Sequence, residues 1–170
     1  INIGAAGSGV PNLMTRLLDV NHIDSKTLSL STLDQTPAVV ALLAGDLDAV
    51  VFASAPEAPM VQMLLQTPGI RLLDFPQSEA YSRRFEFLTP VVLPRGVVDL
   101  AANVPTHNVR LIASTTTLLA QDDSHPAVLQ LFSAAAKSLH GGAGWFNKAR
   151  EFPKATVGDF PMAPEAERYI

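Results

Sequence analysis

The residues with the clearest chemical meaning are Gly4, Ala5, Ala6, Gly7, Ser8 and Gly9, a glycine-rich turn between a short apolar run and an amphipathic stretch. Glycines let backbone N–H groups approach a ligand with no Cβ in the way. A helix starting here adds its unsatisfied first-turn amides and the positive end of its dipole. Such a turn suits an anion, either a carboxylate or a phosphate, and Ser8 adds a hydroxyl donor. A plain connecting turn has the same composition, so the surroundings must decide. A P-loop requires Lys and Ser or Thr after its last glycine. Val10 and Pro11 stand there instead, which argues against nucleotide hydrolysis. The dinucleotide fingerprint is G-x-G-x-x-G, whereas this turn has the reversed order G-x-x-G-x-G. Asp34 stands where a ribose-binding acid would, and equally where a helix N-cap would. The N-cap is its expected role.

No catalytic constellation accompanies the turn. His22, His107, His125 and His140 are not spaced as metal ligands, and none sits with a carboxylate in a recognisable motif. A Gly-x-Ser-x-Gly elbow is missing. Asp46 and Asp48 read as solvated turn residues, His125 before Pro126 as a helix cap, and Arg83 and Arg84 as a solvated helix face. Trp145 and Phe146 read as a packing contact rather than a stacking platform. The expectation is a binding domain, not an enzyme, with no catalytic residue, no metal ligand and no cofactor.

The elements that must position the turn alternate over the first 75 residues. Residues 1–4 read as a short strand. Residues 11–20 read as a helix with Leu13 over Leu17 and Met14 over Leu18. Residues 27–32 read as a strand, 35–44 as a helix capped by Asp34 and ended by Gly45, and 47–53 as a buried apolar strand. A helix over 57–66 and a fourth strand over 70–73 follow. This order predicts an α/β fold with a parallel-rich sheet and flanking helices. Ligands then collect at the carboxyl ends of the strands. Gly7, Ser8, Gly9, Thr32, Ser54, Ala55 and Pro56 all fall at such ends and are the candidate binding residues. Beyond residue 75, a short helix is expected over 78–87. A strand is expected over 88–93, with Pro90 marking it as an edge, and another over 109–119. A helix from Ser124 as cap to about His140 places Val128, Leu131, Phe132, Ala135 and Leu139 on one face. We expect a ligand-binding part over 1–94 and a crossing strand with C-terminal helical segments over 95–170.

Composition narrows the classes further. Of 170 residues, 48% are hydrophobic and 16% charged, with a net charge of -4, which is a globular rather than a disordered balance. Lys and Arg are scattered, so no nucleic-acid surface is expected. No apolar stretch is long enough to span a bilayer, and no signal peptide is visible. The chain opens at Ile1 within the first strand, so a piece of a longer protein is expected. It has no cysteine, which excludes thiol chemistry and disulfides.

Several segments, in order, resemble the solute receptors of the TAXI branch of TRAP transporters. They are Ile3 with the turn through Gly9; Leu43-Ala44-Gly45-Asp46-Leu47-Asp48-Ala49-Val50-Val51-Phe52 with Ala55-Pro56; Thr67-Pro68-Gly69-Ile70-Arg71-Leu72-Leu73; Phe87-Leu88-Thr89-Pro90; and Pro161-Met162-Ala163-Pro164-Glu165-Ala166-Glu167-Arg168-Tyr169. The resemblance implies a lobe of the type II periplasmic-binding-protein fold. It implies an extracytoplasmic or periplasmic receptor that binds a small carboxylate or amino acid and delivers it to TRAP membrane permease subunits. Only the second lobe and the C-terminal return are matched, so the first lobe of the same protein is an expected partner, and any membrane anchor would lie outside the chain. Position 10, often Thr in that family, is Val here. Carried over, Gly7, Ser8 and Gly9 would hold the carboxylate, Ser54 to Pro56 would form the adjacent wall, and Thr89 would lie near the crossing between lobes. A nucleotide-binding enzyme domain and a sensory domain of the same fold are the alternatives.

Overall fold

The computed structural model describes residues 1–155 and 160–168. Tyr169, the last residue of the late resembling segment, lies outside the described residues. The chain divides into two compact units, Ile1–Ala55 and Pro56–Ile170.

In the first unit, three extended segments run parallel, with Asn2 in the middle. Asn2 bridges to Ser31 on one side and to Val50 on the other. The Asn2 N–H donates to Ala49 O and the Val51 N–H to Asn2 O; Ile3 N–H donates to Ser31 O and Ser31 N–H to Ile1 O. Helix α1 (Gly9–Val20) leads from the first segment towards the second, and α2 (Gln35–Ala44) from the second to the third. Leu17 and Leu18 of α1, Ala38 and Val39 of α2, and Ile3 are the buried apolar residues of this unit. Gly45 closes α2 in the left-handed conformation, at φ 83°, as a helix-ending glycine does.

The second unit contains α3 (Pro59–Leu65), α4 (Ser78–Arg84), β1 (Leu88–Leu93), β2 (Val109–Ser114), α5 (Pro126–His140) and α6 (Pro164–Glu167). Strands β1 and β2 pair antiparallel from Leu88 opposite Ser114 to Leu93 opposite Val109. Leu88, Leu93 and Val109 are buried. Pro90 is tolerated because each strand of a two-stranded sheet is an edge. His125 is the N-cap of α5, its Nδ1 accepting from the Ala127 N–H at 3.2 Å, so the capping role falls to it and not to Ser124. The apolar face of α5 forms as expected, but Leu131 and Leu139 on it are exposed. Among the described residues, no helix is long and apolar enough to cross a membrane.

The expected parallel-rich sheet is not what the described residues form. The only sheet of paired strands is the antiparallel β1–β2 pair, and parallel pairing occurs as the single bridges at Asn2. Thr27, expected to begin the second strand, ends a short 3-10 turn instead. There the Asp24 carboxylate accepts from the Lys26 N–H and the Thr27 hydroxyl donates to Asp24 O. Local side-chain bonds of this kind compete with a sheet ladder. Residues 70–73 are irregular, and Leu73 is 72% exposed. An apolar run alone does not supply the neighbour a strand needs. Residues 115–119 also fall outside β2.

Just after that irregular run, Asp74 clamps the outer side of β2. Its carboxylate accepts from the Arg110 N–H at 2.7 Å, from Arg110 Nε at 3.1 Å and from Arg110 Nη2, while the Phe75 N–H donates to Arg110 O. The side-chain bond from the Arg110 guanidinium, joined by its backbone N–H, lowers the Asp74 carboxyl from 3.8 to about 2. A depressed carboxyl contributes stability that is full above its unfolded value and lost as pH falls through its folded value. Denaturant midpoints of the wild-type chain should therefore fall as pH drops from about 4 to about 2. Asp74→Asn should flatten that segment of the curve; an unchanged slope would mean that the clamp does not couple to folding.

Candidate functional site

The glycine turn opens on a cavity of about 170 Å³ in the first unit. Gly4 lies at φ +90°, and a Cβ there would come within 2.8 Å of Val10 Cβ. Only glycine therefore lets the chain turn this close to the start of α1. Gly7 is also at φ +82°, but a Cβ there would meet nothing within 4 Å. Its glycine answers to backbone conformation and not to crowding.

The amides at the start of α1 can be accounted for one by one. A helix leaves its first four N–H groups without an intrahelical acceptor. Here the N-cap Ser8 N–H donates to Ala5 O at 3.1 Å, and the Ser8 hydroxyl donates to the same carbonyl at 2.8 Å. Pro11 has no N–H. Gly9 and Val10 are what remains, and no carbonyl of the described residues accepts from them. At the start of α1 the amides without a backbone acceptor are thus those of Gly9 and Val10, of which Val10 lines the cavity, while the Ser8 hydroxyl expected from the sequence is engaged by Ala5 O. Helix α2 repeats the arrangement with Gln35, Thr36 and Pro37. Ser8 and Val10 from α1 and Gln35 from α2 all line the cavity, so the positive ends of two helix dipoles open on it.

The back of the cavity is held by Asn2, which is 1% exposed. Its Oδ1 accepts from the Leu33 N–H at 2.7 Å and from the Ser31 hydroxyl at 3.1 Å, and its Nδ2 donates to Leu33 O at 3.2 Å. Leu33, Val51 and Phe52 supply apolar wall.

Of the sequence-derived candidates, Ser8 lines the cavity. Gly7 and Gly9 are exposed in the same turn, and Thr32 is exposed between the lining Leu33 and the bridging Ser31. Ser54 and Ala55 are exposed just beyond the lining residue Ala53, with the Ser54 hydroxyl donating to Ala55 O at 3.3 Å. Pro56 opens the second unit. Thr89 belongs to that unit too, exposed on β1 opposite Ala113. Asn2, Gln35 and Phe52 were not among the candidates. The signal for Asn2 was a lone amide between two isoleucines; for Gln35 and Phe52 it was their place beside segment ends already marked as a rim. Asp34 is the N-cap of α2 but makes no side-chain capping bond. Arg83 and Arg84 are exposed, and Trp145 and Phe146 are half-buried, with the Trp145 N–H donating to Glu57 Oε1 at 2.9 Å. Among the described residues, no group of three His, Cys, Asp or Glu is placed to hold a metal ion.

No curated protein matches the chain, and no solved structure does. The model of the NMT1-like family, a periplasmic-binding-like family that points to solute binding in general, matches residues 1–170, and the chain therefore belongs to the NMT1-like family.

Proposed function

We propose that the chain is part of an extracytoplasmic solute receptor of the TRAP type, TAXI branch, that binds a small carboxylate or amino acid without chemically changing it and passes it to membrane permease subunits. The observation behind this reading is the cavity onto which the amino ends of α1 and α2 both open, lined by Val10, whose amide has no backbone acceptor. A carboxylate is the group that such a helix start fits. Membership of a periplasmic-binding-like family supports the reading in general terms, and the resemblance in the turn and in residues 43–52 supports the finer assignment.

Calorimetric titration of the full-length protein against a panel of carboxylates and amino acids is the direct test. Saturable binding by at least one member is expected, with solute uptake in cells depending on the same protein. Silence across the panel would remove the reading. A thermal-shift response to NAD or ATP that disappears in Asp34→Ala would replace it with the nucleotide alternative.

A further inference from the structure

We draw no further inference here: the strongest candidate, the apolar face of α5 on which Val128, Leu131, Phe132 and Leu139 stand exposed, carries nothing because nothing in the structure shows what covers it.

Discussion

Asn2→Leu should destabilise the first unit by about 3 kcal/mol, at the upper end of what one buried polar group contributes. Leucine has the same branched arrangement of four side-chain heavy atoms as asparagine, so the substitution tests hydrogen bonding more than cavity formation. It leaves the Leu33 N–H, the Leu33 carbonyl and the Ser31 hydroxyl without the partners that Asn2 now provides. Each deserted group in a part-buried setting costs about 1–3 kcal/mol unless water reaches it. The backbone of Asn2 also sits between Ser31 and Val50, and parallel pairing in this unit consists of little more than those two bridges. A loss at Asn2 therefore spreads to all three extended segments. Thermal unfolding should show a midpoint lower by roughly 6–12 °C, at about 2–4 °C per kcal/mol for a chain of this size. Asn2→Asp is the informative companion. It preserves the acceptor for the Leu33 N–H but loses the donor to Leu33 O and buries a charge, so it should be at least as destabilising as Asn2→Leu near neutral pH and should recover towards wild type as the carboxyl is protonated at lower pH. Equal midpoints for wild type and Asn2→Leu would show that the three bonds are replaced by water at no cost.

The elements with local signals were legible in the sequence. Helix α1 follows from the stripe through Leu13, Leu17 and Leu18, α2 from the stretch between Asp34 and Gly45, and α5 from a cap followed by Pro126. Strand β1 was legible as an edge because Pro90 cannot donate to a ladder. What could not be read was pairing. Whether residues 27–32, 47–53 and 70–73 join a continuous sheet depends on neighbours distant in sequence, and hydrophobic runs are silent about them. Thr27 shows the competing force directly, since its hydroxyl donates to Asp24 O while the Asp24 carboxylate accepts from the Lys26 N–H, which draws the segment into a turn.

The site divides along the same line. The turn at Gly4 to Gly9 announces itself because glycines, a serine and a following helix are all local. Asn2 does not. In sequence it is one residue in a short strand, and only the fold reveals that its side chain faces Ser31 and Leu33 and closes the back of the cavity. The role of Ser8 also needed the structure. Its hydroxyl points at Ala5 O, which shapes the turn and hands the donor function to the amides after it.

That transfer gives a prediction separable from folding. Val10→Pro should weaken carboxylate binding roughly ten- to a hundredfold, the worth of about 1.5–3 kcal/mol for a hydrogen bond to a charged group, while leaving the helix in place. The Val10 N–H has no intrahelical acceptor, so its removal breaks no bond of α1. Proline is at home in the first turn of a helix, and Gly9, the residue before it, tolerates the backbone restriction proline imposes. Proline also keeps a Cβ against Gly4, where Val10 already packs closely. Thermal unfolding of the variant should thus stay near that of the wild type, while titration with a carboxylate that binds the wild type shows the loss. Val10→Thr supplies the contrast: it retains the amide, keeps a side chain of similar shape and adds a hydroxyl at the rim, so it should bind at least as well as the wild type. If Val10→Pro folds and binds unchanged, the amino end of α1 does not hold the carboxylate, and the amides of Gln35 and Thr36 at the start of α2 become the donors to examine.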